Sequence, residues 1–346
     1  MRIWEVRMIL ITGGAGFVGR HLCAYLAARG GDRVRVLSRH PEWVYEDARH
    51  TLAVASRTVD RMGETGTVDP DQIAAARERI ERGTPMLQDF VDPLPGDIAD
   101  VPVLVEAMRG VDAVVHTVAI IRETEGRTFA ATNVAGTENV VAAMHEAGVR
   151  RFLAIGVMGS VDDERQPYSR SRWLAENVVA DSGLDHTVVK PSLVLGHGDA
   201  FSKRVISALD FSKPIVTLPN GGKTKFQPIW IGDLVRVLAS ILENPDAIGR
   251  KFEIGGPDQI TFSQIAGRFA AILGKRRAFI PVPSQLLVPG AVVLAKLSRD
   301  PPVTRTELRE LEHDNVTDLD SIQRQFGFAP LALSEYLPDY LSAMTR

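Results

Sequence analysis

Cysteine is all but missing from this chain. The single one, Cys23, excludes an internal disulfide framework and suits a reducing compartment. It lies in an apolar helical stretch, where a thiol serves as core filler. No apolar run reaches the ~20 residues that a membrane span needs. The longest, "LLVPGAVVLA" at 286–295, is interrupted by Pro289-Gly290. It reads as a core helix, and packing on a partner or a lipid surface is the other reading. Charge of one sign is also lacking: the net value is -3, which gives no electrostatic reason to expect nucleic-acid binding. No Cys/His cluster has metal-ligand spacing, so no metal site is expected, and there is no nucleophile elbow. The leading "MRIWEVR" is too short for a signal peptide, and Met8 would serve equally well as a start. Repeats and low-complexity tracts are absent. What remains is an ordinary globular composition, 45% hydrophobic and 24% charged over 346 residues, with room for about two domains.

The first half alternates β-branched runs with helical patterns. "RMILIT" (7–12), "DRVRVLSR" (32–39), "DAVVHTVAI" (112–120), "RRFLAIGV" (150–157) and "DHTVVKPSLVLG" (185–196) read as strands. "NVAGTENVVAAMHEAGV" (133–149) reads as an amphipathic helix. This rhythm predicts an α/β fold, a Rossmann-type doubly wound parallel sheet. Beyond residue 196 the alternation loosens. "KPIVTLP" (213–219), "RKFEIGG" (250–256) and the helix "FSQIAGRFAAILG" (262–274) suggest a smaller α/β lobe. The expected division is therefore 1–196 and 197–346, with a soft boundary. One segment breaks the rhythm. Residues 41–90 fill a connection that a short turn would serve. They include the helix "DPDQIAAARERIERG" (69–83), with Asp69 as N-cap, Pro70 in the first turn, Gln72 at the capping-box position and Gly83 as the stop. Its caps argue for an ordered helical flap, over a substrate or against a partner.

"ILITGGAGFVGRHL" (9–22) carries the strongest chemical signal. Gly13, Gly16 and Gly19 follow a strand and open a helix. The first glycine allows the tight turn, the second lets a pyrophosphate approach the backbone, and the third lets helix and strand pack closely. The helix N-terminus then offers free N–H groups to the phosphate. Thr12, Phe17 and Val18 complete the turn. Twenty residues beyond Gly19, where an acidic residue would bind a ribose 2′-hydroxyl, stands Arg39, preceded by Ser38. A guanidinium there suits a 2′-phosphate, and Arg20 offers a second clamp. NADP(H) is thus favoured over NAD(H), with a solvated Arg39 as the plainer alternative.

In "PYSRSRWLAENVV" (167–179) Tyr168 and Arg172 stand one helical turn apart on one face. A phenol beside a fixed positive charge has the makings of a proton donor with a lowered pKa. Yet an arginine cannot pass a proton on. A plainer reading pairs Arg172 with Glu176 on the helix surface and leaves Tyr168 as a packing residue.

"TGGAGFVG" (12–19), "GDIAD" (96–100), "VVHTVA" (114–119), "NVAGTENVV" (133–141), the tyrosine motif and "KPSLVLGHGD" (190–199) stand in an order that resembles the atypical extended short-chain dehydrogenase/reductases, which are NAD-dependent epimerase/dehydratase-like. "FQPIWIGDLVRVL" (226–238) and "GRKFEIGGPDQITFSQI" (249–265) extend the resemblance. The tail "PPVTRTELRELEHDNVTD" (301–318) with "EYLPDYL" (335–341) is similar to bacterial relatives of the NADPH-binding accessory subunit of mitochondrial complex I. The resemblance implies that Asp97 contacts the adenine, that Ile98 flanks it, and that Asn133 steadies the sheet beside the nicotinamide end. It implies that Pro191 and Ser192 line the nicotinamide pocket. Val118 and Ala119 join the cofactor set at the carboxyl edge of their strand. Active relatives use a serine, the tyrosine and a lysine four residues on. This chain keeps Tyr168, but Gly156 and Val157 stand at the serine position and Arg172 at that of the lysine.

Other candidates have plain alternatives. His116 and Thr117 fall where ligands sit, but His116 reads as structural. His197 and Asp199 face substrate or cap a loop. Asp233 reads as a helix N-cap. Two functional readings stay open. In one, the protein binds NADP(H) as a structural or redox-sensing ligand and meets a respiratory or quinone-related complex through the flap and the C-terminal helices. In the other it is an NADP(H)-dependent reductase, epimerase or isomerase that uses Tyr168 on a small apolar or quinone-like substrate. Neither involves nucleic acid or a transmembrane span. A cytoplasmic location is expected, with peripheral contact at the inner face of the membrane as an option.

Overall fold

The computed structural model describes residues 7–66, 68–283, 286–287 and 304–344. Most of "LLVPGAVVLA" and of "MRIWEVR" lies outside them. Among the described residues no helix is long and apolar enough to cross a membrane.

Six strands, β1 (Arg7–Thr12), β2 (Asp32–Ser38), β3 (Val91–Pro95), β4 (Ala113–His116), β5 (Arg151–Ile155) and β6 (Asp185–Pro191), join Lys251–Ile254 in a seven-stranded sheet. Its order is Lys251–Ile254, β6, β5, β4, β1, β2, β3. The pairs from β6 to β3 are all parallel. At the far edge, Gly249 N–H donates to His186 O and Val188 N–H to Arg250 O, continuing the same direction. β1, β4 and β5 are buried along almost their whole length, as strands covered on both faces must be. The chain leaves β1 for β2 and β3 on one side, then returns to β4 on the other. A crevice therefore opens at the carboxyl ends of β1 and β4.

The helices are α1 (Phe17–Arg29), α2 (Ala48–Glu64), α3 (Pro70–Glu81), α4 (Thr84–Phe90), α5 (Val101–Ala107), α6 (Gly136–Ala147), α7 (Pro167–Ala180), α8 (Ala200–Phe211), α9 (Ile231–Glu243) and α10 (Phe262–Ile272), with further helices in the tail. One core under the sheet joins Leu10, Val114 and Phe152 to Val140 and Met144 of α6.

The chain folds as two compact units that interleave in sequence. Among the described residues, one takes those within 1–157, 171–190 and 231–252, and the other those within 158–170, 191–230 and 253–346. A single division at residue 196 does not describe this. α9 belongs to the first unit, where Arg7 and Arg151 reach its Leu242 and Ile241 carbonyls at 3.2 and 2.8 Å. The strand expected in the second lobe at 250–256 is instead the edge strand of the main sheet.

The insertion corrects a second expectation, that of a flap. Ala24, Ala27 and Ala28 of α1 bury against Ala48, Leu52 and Ala55 of α2 and Met86 and Leu87 of α4. Small residues on α1 let the inserted helices approach closely. Arg79 of α3 donates to Ala28 O and Arg29 O at 2.9 and 2.8 Å, satisfying orphan carbonyls at the end of α1. Arg61 of α2 pairs with Asp233, a fully buried carboxylate in the first turn of α9. Asp233 is thus an ion-pair partner inside the helix, not its N-cap. Residues 48–90 form a helical layer closed onto the first unit. Asp69 caps α3 as expected, by accepting from Asp71 N–H at 3.0 Å.

Candidate functional site

The turn after β1 is built for a close approach. Gly13 has φ +75°, and its N–H donates to Leu37 O at 3.0 Å. A Cβ on Gly13 would stand 2.9 Å from Thr117 Oγ1 and from Val118 Cγ2. A Cβ on Gly19 would stand 2.5 Å from Gly13 O and from Gly14 Cα, so only glycine lets α1 sit this near its own turn. Gly16 is exposed and opens α1, and no side chain caps the helix. The first-turn N–H groups thus face outward with the positive end of a 13-residue helix behind them. Phe17 and Val18 are half-buried in that turn. This cradle fits a dinucleotide pyrophosphate. The residues that would hold the pyrophosphate are Gly13 to Gly19, and the nicotinamide of the same cofactor would supply hydride chemistry when bound.

Three expected residues gather at the ends of β2 and β3. Arg39 is 47% exposed, and its Nε lies 3.8 Å from Asp97 Oδ2. The other Asp97 oxygen accepts from Ala99 N–H at 3.0 Å. Ser38 Oγ accepts from His40 N–H at 3.4 Å. Arg20 does not join them: it pairs with Asp47, at 3.6 Å, in the insertion. The Ile98 side chain also departs from expectation. It is buried in the core and fills the notch left by Gly136, where a Cβ would meet Ile98 Cδ1 at 2.3 Å.

Behind the crevice lies a chain of buried polar groups. Thr117 Oγ1 donates to Thr12 O at 2.8 Å. His116 sits between two hydroxyls, with Thr12 Oγ1 2.7 Å from Nδ1 and Thr137 Oγ1 3.2 Å from Nε2. The Thr137 hydroxyl gives its proton to Asn133 O, at 2.7 Å. Nε2 must therefore carry the imidazole proton, and Nδ1 accepts from Thr12. Burial, and after it the charge of Arg172, push the His116 pKa down to about 3. His116 is a neutral structural residue. Asn133, at a wider π turn ahead of α6, exchanges hydrogen bonds with Ile120 N–H and O at 2.9 and 3.1 Å and donates to Ser171 Oγ at 3.0 Å. It fastens the loop after β4 to α7. Ala119 in that loop is exposed, and Val118 is half-buried.

Tyr168 is half-buried in the first turn of α7, one turn ahead of Arg172. Arg172 is 5% exposed and donates to Ile155 O at the end of β5. It is not a helix-surface residue. Glu176 meets Lys190 at 3.3 Å and Lys251 at 2.8 Å. Lys190 also explains Gly156: a Cβ there would stand 2.9 Å from Lys190 Cγ and 3.1 Å from Val188 Cγ1. The sequence reading passed over this lysine. The missing serine was the signal that could have led to it, since a glycine at a strand end marks space that something else fills.

In the second unit, the Ser192 hydroxyl donates to Asn315 O at 2.7 Å and accepts from Gln227 N–H at 3.1 Å. Next to it, Pro191 is buried. Asp199 caps α8, accepting from Ser202 N–H at 2.6 Å and Gly196 N–H at 3.2 Å. The tail motif winds round the residues ahead of Tyr168: Asn315 Nδ2 donates to Met158 O at 3.0 Å, and Arg309 donates to Arg165 O. Glu310, also missed from sequence, accepts from Ser169 N–H, and one of its oxygens is buried with no partner. Burial raises its pKa to about 7.

Known proteins carry the same architecture. The chain is 24% identical over 248 residues to the mitochondrial NADH-ubiquinone oxidoreductase 40 kDa subunit of Neurospora crassa, covering 71% of this chain and 65% of that subunit. It is 26% identical to a 3 beta-hydroxysteroid dehydrogenase/Delta 5→4-isomerase of Mycobacterium tuberculosis, covering 98% of this chain and 91% of that enzyme. A dTDP-glucose 4,6-dehydratase of Streptomyces venezuelae, solved with NAD and TYD bound, superposes with a TM-score of 0.64 at 23% identity over 97% of this chain and 96% of its own. With the glycine turn, the switch point and these relatives in place, the model of the NAD dependent epimerase/dehydratase family matches residues 9–255, and the chain belongs to that family.

Proposed function

We propose that this protein binds NADP(H) as a held ligand, with a catalytic set too incomplete for ordinary carbonyl reduction. The observation that carries this reading is the pair at the end of β5. Lys190 crosses the space of the absent serine at Gly156, and Arg172 is tied to Ile155 O. A guanidinium so held adds positive charge but cannot relay a proton. Arg39, exposed beside the crevice, supports the phosphorylated cofactor, because a guanidinium pairs with a 2′-phosphate. The likeness to a mitochondrial NADH-ubiquinone oxidoreductase subunit supports a respiratory or quinone-related assembly as the partner.

A second reading has its own support. The steroid dehydrogenase/isomerase matches nearly the whole chain, and Tyr168 is kept. Under it the protein is an NADP(H)-dependent reductase, epimerase or isomerase on an apolar substrate, with Tyr168 as the proton donor. One experiment separates the two. The purified protein is denatured, the released nucleotide is identified, and NADPH oxidation is followed with quinones, 3-ketosteroids and small carbonyls. Tight NADPH without turnover supports the first reading. Turnover that Tyr168→Phe abolishes supports the second.

A further inference from the structure

The second unit presents a surface that nucleotide binding does not explain. Strand Ile215–Pro219 pairs in parallel with Ala278–Val282, with Ile215 opposite Ala278 and Thr217 opposite Ile280. In parallel strands, register partners point to the same side, so Ile215, Thr217, Ala278 and Ile280 share one face. That face is open: Ile215 is 44% and Ile280 42% exposed, and Phe211, at the end of α8, is 72% exposed. Arg277 Nε donates to Leu209 O at 2.6 Å, and Lys275 pairs with Asp210 at 2.8 Å. These two contacts bring the end of α8 and its Phe211 to the start of the second strand. Phe211 therefore lies at the end of the strand pair where Ile215 and Ala278 begin.

The patch carries cations at its edge. Lys213 and Arg276 are exposed and lie two residues ahead of Ile215 and Ala278. Between residues 200 and 226 and between 273 and 283 the sequence holds eight Lys or Arg and a single acid, Asp210, although the chain as a whole is at -3; two of the eight, Arg204 and Lys275, pair with Glu307 and Asp210. An open apolar face edged with cations on a weakly acidic protein is complementary to a surface that is apolar inside and anionic at its rim. A second copy of the chain fits poorly, since a two-fold contact would set the same cations against each other. Nucleic acid matches the charge but offers nothing to two exposed isoleucines.

We propose that this face of the second unit docks on an anionic lipid bilayer, with Phe211, Ile215 and Ile280 entering the headgroup boundary and Lys213 and Arg276 meeting lipid phosphates. The inference stands whether or not nucleotide is turned over.

The test is co-sedimentation of the full chain with vesicles of phosphatidylcholine alone and of phosphatidylcholine with about a third phosphatidylglycerol. The native chain is expected to pellet with the anionic vesicles and to be released by high salt. The double variant K213E/R276E should weaken binding by at least tenfold, and F211S/I280S should do so while keeping every cation. Both should melt like the native protein, since they alter exposed residues. The proposal is overturned if the native chain ignores anionic vesicles or pellets equally with neutral ones. It is also overturned if both variants bind as well as the native chain, if the native chain is a dimer that F211S/I280S dissociates without any vesicle binding, or if it retains a DNA duplex but not vesicles.

Discussion

A serine at position 156 would carry its Cβ into Lys190 Cγ at 2.9 Å, so the loss of the serine and the path of the lysine are one feature. Lys190 can yield only by leaving Glu176, a buried carboxylate that it shares with Lys251. Gly156→Ser is therefore expected to destabilise the protein by about 1–3 kcal/mol, the usual cost of overpacking, measured by urea unfolding. Arg172→Lys combined with it should restore no carbonyl reduction if the site only holds nucleotide. Recovered turnover would mark the protein as a lapsed enzyme. A buried histidine and a half-buried glutamate set opposite pH responses. The His116 pKa is depressed to about 3 in the fold, so its stabilising neutral form is fully present above the ordinary 6.5 and is lost as pH falls toward 3. The Glu310 pKa is raised from 4.5 to about 7, so the fold binds its proton more tightly than the unfolded chain does. That contribution is full below 4.5 and disappears as pH climbs through 7. Glu310→Gln should accordingly leave the melting temperature at pH 4.5 nearly unchanged and raise it at pH 8, by at most roughly 2–3 kcal/mol in stability. Equal melting of variant and native protein at pH 8 would mean that Glu310 titrates normally.

At the scale of elements, the inserted helices are held by charge as well as by packing. Asp233 has no exposure, and Arg61 of α2 pairs with it. Arg61→Met should cost up to about 3–5 kcal/mol, because the buried carboxylate loses this cation while Arg236 remains nearby. Asp233→Asn should cost less than Arg61→Met, and the double variant less than the sum of the two, in a denaturation double-mutant cycle. A destabilisation near zero for Arg61→Met would mean the insertion is a detachable flap after all. The capping signals of α3 were legible because Asp69 and Pro70 act within one turn. The burial of the layer was not, because it rests on alanines of α1, a distant segment whose small size signals nothing until a partner is seen. β3 was likewise illegible. "VDPLP" carries two prolines that argue against a strand, yet it lies at the sheet edge, where only one side needs hydrogen bonds. "KFEI" looked like a second-lobe strand because neighbours in sequence are expected to be neighbours in space, and here the chain returns to the sheet from beyond residue 230.

Across the whole molecule, the glycine turn and the β-branched strands were readable because their causes are local, whereas the interleaving of the two units depends on where α9 packs. The cofactor site follows the same pattern. Gly13 and Gly19 form the tight turn that their spacing predicts, while Arg20 and Ile98 turn to a helix and a core that the sequence did not reveal. Under the proposed reading Arg39 carries the choice between cofactors, which makes the choice testable on the intact chain. A ligand that binds only the native state stabilises it by about 2.7 kcal/mol at a hundred times its Kd. For a chain of this length that is a rise of roughly 3–6 °C in Tm. Saturating NADPH should give such a rise, and NADH a smaller one. Arg39→Ala should weaken NADPH by about 10- to 100-fold, the loss of charged hydrogen bonds to a phosphate, and should leave NADH nearly unchanged. If NADH stabilises as well as NADPH and Arg39→Ala alters neither, the guanidinium is merely solvated beside Asp97 and the preference for the phosphorylated cofactor falls. If neither nucleotide moves Tm, the cradle at Gly13 to Gly19 is a turn without a ligand.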